Sequence, residues 1–391
     1  MLADIVGHQA PLQVLRRAIV TGRVTHAYLF VGPPNIGKTL TALQFAKVLN
    51  CEHYTTFASA AEVECCDECE TCRGIDAGNH PDFQLIRPMT NLKVDRRVDG
   101  SEGEEAQTED DEEDTLSEIE GSLIRTGRIE ELIASANFKI ARARRKAYIV
   151  TVAEAMNKEA QNRFLKTLEE PPPNTVFILT SANPSQLLPT VVSRCQVLSF
   201  HPVPREVAEP ALLERFPDLD PALVRTVVAL SGGRLGWAHR LLQTPAAFAI
   251  RGELMDLCRD LKAMEQFDCL RLGEQIVDAV ERWWRATAPD EDLADKALKK
   301  ARDRVLRTRF PDVVDLLASW FRDLVLAGAD SAATQVINQD RLADLQRMAP
   351  LYSPEACRKV VVFIEDLKRQ LRQNANVRLS AEVLALRMLT A

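Results

Sequence analysis

Several absences narrow the class of this chain before any motif is read. No apolar run reaches the roughly 18 residues that a membrane-spanning helix needs, so no bilayer segment is expected. The N-terminus, MLADIVGHQA, lacks a basic n-region and places Asp4 early. A signal peptide is therefore not expected, and the expected location is the cytoplasm. No fixed-period repeat runs through the chain, which argues against a solenoid. Lys and Arg are missing from residues 99–120, DGSEGEEAQTEDDEEDTLSEIE, which hold twelve Asp or Glu. That stretch has almost nothing to bury and reads as a solvated, disordered insertion, spanning about residues 97–122. Taking its twelve negative charges from the net −7 leaves +5 for the rest, so the folded part is mildly basic and a nucleic-acid partner stays open.

What is present is the material of a globular protein. The 391 residues are 46% apolar and 27% charged, enough for more than one core. This excludes a collagen-like chain, a wholly disordered chain and a small disulfide-stapled scaffold. Short apolar runs at 27–31, 83–86, 147–152, 176–180 and 197–200 read as strands. Helical spacing follows the first (38–49) and separates later ones (155–169), which predicts an α/β domain with a parallel sheet covered on both faces. Pro171, Pro172 and Pro173 stop the long helix. After Pro204 only helical patterns remain, with breaks expected at Pro289, Pro311 and Pro350.

Two constellations carry chemistry. Residues 32–39, Gly-Pro-Pro-Asn-Ile-Gly-Lys-Thr, fit G-x-x-x-x-G-K-[ST] between a strand and a helix. Gly37 lets the backbone turn tightly. The amides of the loop's second half (Asn35, Ile36, Gly37) and the helix N-terminus make a concave anion site. Lys38 would reach the outer phosphates, and Thr39 would face a magnesium ion. Pro33 and Pro34 have no N–H and can only shape the first half, which Gly32 opens; Gly32 and Pro33 are counted with the nucleotide-binding residues. The expected ligand is ATP or ADP with Mg²⁺. Hydrolysis asks for acids at the end of a neighbouring strand. The strand before Ala153 ends in Thr151 and Val152, with Glu154 two positions later, so the site reads as one without hydrolytic equipment.

The second constellation is Cys51 with Cys66, Cys69 and Cys72. Four thiolates make a closed tetrahedral site, the usual structural zinc solution. Cys65, His53 and His80 are competing ligands. A basic stretch, Lys139, Arg142, Arg144, Arg145 and Lys146, admits a DNA contact, though its simpler reading is a solvated face.

In this order the chain resembles the delta-prime subunits of bacterial DNA polymerase III clamp loaders, within the AAA+ family. The resemblance rests on Val6-Gly7-His8-Gln9, on His26 to Phe30 running into the phosphate loop, and on the cysteines followed by His80-Pro81-Asp82. It rests also on Asn162 to Pro172, on Leu188 to Cys195 ending in Ser-Arg-Cys, and on Asn374-Ala375-Asn376 followed by Leu379 and Glu382. The resemblance implies a RecA-like AAA+ domain (1–200, with a zinc module at 51–80), an all-α lid (201–245) and an all-α collar that oligomerises (246–391). It implies a five-membered ring with ATPase (tau/gamma) and delta subunits, which loads the sliding clamp onto primed DNA as part of the polymerase holoenzyme. It makes Arg194 an arginine finger acting in trans on a neighbour's ATP. The ATPase subunits' acid pair falls on Thr151 and Val152, and their ATP-sensing lid arginine falls on Gly236, so no ATPase activity of its own is expected. The alternatives are an active tau/gamma-like ATPase subunit and, in another class, a zinc-dependent nucleic-acid-binding module with a degenerate loop. The second of these would be favoured by more aromatic residues than the 6% present.

Overall fold

The computed structural model describes residues 2–53, 57, 59–88, 123–287, 295–328, 336–372 and 375–391. The acidic insertion at 97–122, Pro289 and Asn374 lie outside the described residues. The chain forms two compact units. One takes the described residues up to Ala211 together with Gly232–Trp237. The other takes Leu212–Ser231 and the residues from Ala238 onward.

The first unit is built on a parallel sheet of five strands: β1 (Ala27–Val31), β2 (Phe83–Ile86), β3 (Lys146–Val150), β4 (Thr175–Ser181) and β5 (Gln196–Ser199), in the order β2-β3-β4-β1-β5. Its helices are α1 (Gln9–Val20), α2 (Lys38–Asn50), α3 (Glu70–Asp76), α4 (Thr126–Asn137), α5 (Lys158–Glu169) and the single turn α6 (Pro189–Val192). Side chains alternate across a strand, and the two faces are easy to separate. Tyr28, Phe30, Ile149, Val176 and Ile178 pack with Leu15 of α1 and Phe45 and Leu49 of α2. Ala27, Leu29, Tyr148, Val150, Phe177 and Leu179 pack with Ile129 and Leu132 of α4 and Phe164 and Leu168 of α5. Both faces are dry, which is why β1, β3 and β4 read as unbroken apolar runs rather than alternating ones. The expected parallel α/β architecture is therefore observed. β3 stops at Val150 rather than at Val152, because Val152 takes a left-handed φ of 48° and turns the chain out of the sheet.

Beyond Ser199 the described residues form helices and turns but no strand, as expected: α7 (Arg205–Arg215), α8 (Pro221–Ser231), α9 (Leu235–Leu242), α10 (Pro245–Asp260), α11 (Cys269–Thr287), α12 (Asp295–Ala327), α13 (Leu342–Met348), α14 (Pro354–Arg372) and α15 (Val377–Leu389). The break expected at Pro311 does not occur, since α12 runs through it. An interior proline costs a helix about 3 kcal/mol. Here Phe310 beside it and Val313, Val314, Leu317, Trp320 and Phe321 further along α12 are all buried, and burying a large apolar side chain returns about 1.5–3 kcal/mol each. Packing outweighs the local penalty. Pro350 does mark a break, in the turn after α13. No helix among the described residues is long and apolar enough to cross a membrane.

Candidate functional site

The candidate sites sit at the two ends of α2. Thirteen residues at 1.5 Å rise separate them by about 20 Å.

At the N-terminal end, β1 runs into the phosphate loop. Gly32 donates its N–H to Ser181 at 3.1 Å, which continues the β1–β4 pairing. A Cβ on Gly32 would stand 2.3 Å from the Phe200 carbonyl oxygen, so only glycine fits. Asn35 and Gly37 take φ of 60° and 110°, and Ile36 between them is buried. Gly37 is the N-cap of α2. His8 braces the loop from outside, with its Nε2 2.7 Å from the Ile36 carbonyl oxygen. The Lys38 ammonium is drawn inward and donates to the carbonyls of Gly32 (2.6 Å) and Pro33 (2.7 Å). Burial pushes its pKa down to about 8, against the pull of the Glu154 carboxylate. Thr39 is half-buried in the first turn.

The end of β3, which β4 separates from β1, carries no acid. The Thr151 hydroxyl is buried and donates to the Ile86 carbonyl at 3.2 Å. Val152 is exposed, with its amide on the Thr180 hydroxyl. The carboxylate nearest in sequence, Glu154, accepts from the amides of Ala182 (2.8 Å) and Asn183 (3.3 Å). It is the charge felt by Lys38. Gly236 donates its N–H to the Asn35 carbonyl at 2.8 Å. A Cβ there would lie 2.9 Å from the same oxygen. A side chain at position 236, an arginine included, would have to push the Asn35 carbonyl aside. Arg234 instead lies over the Trp237 ring, 5.4 Å from its centroid.

At the C-terminal end of α2, Cys51 is the C-cap. Its Sγ and those of Cys66, Cys69 and Cys72 all lie within 4.8 Å of one another, and Cys51 and Cys66 are 3.5 Å apart. A tetrahedral zinc with bonds of about 2.3 Å would hold sulfurs about 3.8 Å apart, so the four fit a metal ion. Asp67, at φ 56°, makes the knuckle turn. Amides of Glu68 and Cys69 donate to the Cys66 sulfur at 3.4 and 3.2 Å, and the Cys72 amide to the Cys69 sulfur at 3.4 Å. Desolvation would raise the Cys66 thiol. The Glu68 and Cys69 amides, with His53 and Cys51, outweigh it and bring the pKa to about 6. Cys51 and Cys72 are raised, chiefly by burial. Of the competing ligands, His53 places Nδ1 3.3 Å from the Cys66 sulfur. Cys65 is turned to Asp67 (3.0 Å) and Gln44 (3.4 Å), with burial first among the causes that push it up to about 12. It also belongs to a second compact group with Asp67 and Cys72. His80 stands apart from both groups, its Nδ1 accepting from the Asp82 amide at 3.1 Å.

Arg194 follows α6, with 32% of its side chain exposed. It donates through Nη1 to the Thr190 carbonyl at 2.9 Å and through Nη2 to the Glu169 carboxylate at the end of α5. Its neighbour Cys195 is pushed up to about 12 by burial and packs as an apolar side chain. The basic stretch before β3 is partly structural. Lys146 is buried and donates to the carbonyls of Ser135, Ala136 and Phe138 at the end of α4. Asp82, also buried, accepts the amides of Ala141, Arg142 and Ala143. Arg142 pairs with Glu70.

Sequence reasoning gave no role to His8 or Glu154 at the loop, nor to the Gly236–Asn35 contact. Only the Val6 to Gln9 motif hinted at the first.

The family described as DNA polymerase III, delta subunit, matches residues 7–204. The delta' subunit of DNA polymerase III from Pseudomonas aeruginosa is 34% identical over 217 residues, 55% of this chain and 55% of that protein. Its Bacillus subtilis counterpart is 30% identical over 220 residues, 56% and 55% of the two chains. The tau/gamma subunit from Haemophilus influenzae is 32% identical over 237 residues, 59% of this chain and 29% of that protein. The matched region thus spans about half the length of the delta' relatives and less of tau/gamma.

Proposed function

This chain belongs to the DNA polymerase III delta-subunit family, and on that premise we propose that it is a delta-prime-type clamp-loader subunit that hydrolyses no ATP itself. It works in the cytoplasm, in a ring with tau/gamma ATPase subunits and a delta subunit. It supplies Arg194 to a neighbour's nucleotide and helps place the sliding clamp on primed DNA. Its residues 1–200 form the RecA-like AAA+ domain, 201–245 the lid and 246–391 the collar. Cys51, Cys66, Cys69 and Cys72 hold one structural zinc. Gly32, Pro33, Asn35, Ile36, Gly37, Lys38 and Thr39 hold ATP or ADP with magnesium.

One observation carries the non-hydrolysing reading over a tau/gamma-like one. Beside an intact phosphate loop, the strand end offers a buried hydroxyl at Thr151 and an exposed valine at Val152. The contact of Gly236 with the loop supports it from the other side. A guanidinium suits action in trans, since it is always charged and grips phosphate oxygens in a planar fork. Such fingers are worth about 10³–10⁵ in rate at one site.

The test is steady-state ATPase and clamp loading by rebuilt complexes. Arg194→Ala should assemble normally and lose the contribution of one site among several, and Arg194→Lys should rescue poorly. Full activity in an assembled Arg194→Ala complex would leave only a scaffold role. Turnover of about 1 per second by the chain alone, lost on Lys38→Ala, would restore the tau/gamma-like reading.

A further inference from the structure

We propose that Glu169 is the positioning residue for Arg194: its carboxylate and the Thr190 carbonyl fix the guanidinium so that its outward N–H edge meets a neighbouring subunit's nucleotide phosphate. This rests on the reading of Arg194 as a finger in trans.

Three observations converge. First, the guanidinium is held at two points from two elements, Nη1 on Thr190 of α6 and Nη2 on Glu169 of α5. A planar fork held at two points has one orientation, whereas a single carbonyl contact would leave it free to swing. Second, Glu169 is the last residue of α5 and Glu170 follows it. A carboxylate there faces the negative end of the helix dipole, which disfavours it. The arginine relieves that conflict, so the pair is mutually stabilised. Third, 32% of the Arg194 side chain remains exposed, and the Thr190 and Glu169 contacts occupy only part of the guanidinium's five N–H donors. A reacting group misplaced by about 1 Å can cost about 10²-fold in rate. An arginine delivered across an interface therefore gains from being oriented before the neighbour arrives.

The experiment uses complexes rebuilt from the full chain and its partner subunits. Every ATPase site except the one facing Arg194 is silenced by replacing its loop lysine. Turnover and KM for ATP are measured for wild type, Glu169→Ala, Glu169→Gln, Arg194→Ala and the Glu169→Ala/Arg194→Ala double variant. Glu169→Ala should lower kcat about tenfold with KM unchanged. Glu169→Gln, whose amide oxygen can still accept, should recover part of it, and the double variant should be no worse than Arg194→Ala alone. An unchanged or raised kcat in Glu169→Ala, or losses that multiply in the double variant, would overturn the assignment. If Arg194→Ala itself leaves kcat untouched, it is the finger reading that fails. Zinc content and gel filtration of each variant separate both outcomes from misfolding.

Discussion

The two ends of α2 are both cradles for charge, and they differ in completeness. The cysteine end closes on itself. Four sulfurs from a short stretch of chain converge within 4.8 Å, and backbone amides already point at three of them. The phosphate end is open. Its loop has the full motif and a bracing histidine, yet the end of β3 is uncharged and Gly236 is seated on the loop. A local motif can finish a metal site, because every ligand comes with it. A hydrolytic site is finished only by residues from distant elements, and on the proposed reading those positions hold Thr151, Val152 and Gly236.

The largest effect should come from breaking the closed end. Cys69→Ser should drop bound zinc from one per chain to none by elemental analysis and melt residues 51–80 locally. Structural zinc is worth about 10–16 kcal/mol in small peptides, while the sheet core has its own packing. Amide exchange should therefore show lost protection near α3 and retained protection in β1, β3 and β4. Zinc-free wild type with normal protection would refute the structural role.

At the open end, the expected effect is smaller and depends on pH. Lys38 has its pKa lowered to about 8 by burial, so its amine is charged below that value and neutral above it. Affinity for ADP should fall as pH rises through about 8. Binding near pH 8 should also take up a proton, because phosphate favours the charged form. Lys38→Ala should lose affinity about tenfold or more, by analogy with other buried charged contacts of about 1.5–3 kcal/mol, and lose the pH dependence. Titration calorimetry across pH 7 to 9.5 reads both. A flat profile in the wild type would detach Lys38 from the nucleotide.

Gly236→Ala probes the contact of Gly236 with the loop. The new Cβ would meet the Asn35 carbonyl at 2.9 Å, and overpacking of this kind costs about 1–3 kcal/mol. A lowered Tm is expected, and an unchanged Tm would show that the contact yields freely. Smallest of all, Asn35→Gly should shift stability by only a few tenths of a kcal/mol, since glycine accepts a φ of 60° without strain, whereas Asn35→Ala should cost about 1–2 kcal/mol. Equal melting of the two variants would show that the left-handed turn is not under local control.

Much of this was legible from residue order. Strands buried on both faces announce themselves as short apolar runs, and a glycine-lysine-threonine loop or a cysteine triplet is a contiguous signal. The course of α12 through Pro311 was not legible. The proline penalty is local, but the buried Phe310, Val314 and Trp320 that outweigh it act through the tertiary core. Lys146 also reads as one more surface cation in a basic stretch, and only the fold buries it on the carbonyls ending α4.

By itself the order of residues determined the parallel α/β class, the helical second half, the phosphate loop and the four-cysteine set, because each is encoded by neighbours in sequence or by periodicity. Only the tertiary structure decided that Glu154 stands as the carboxylate acting on Lys38, that a side chain at Gly236 would crowd the Asn35 carbonyl, and that Arg194 is tethered to Glu169. Those facts depend on elements far apart in the chain meeting within hydrogen-bonding or Coulombic range. No local pattern carries such distances.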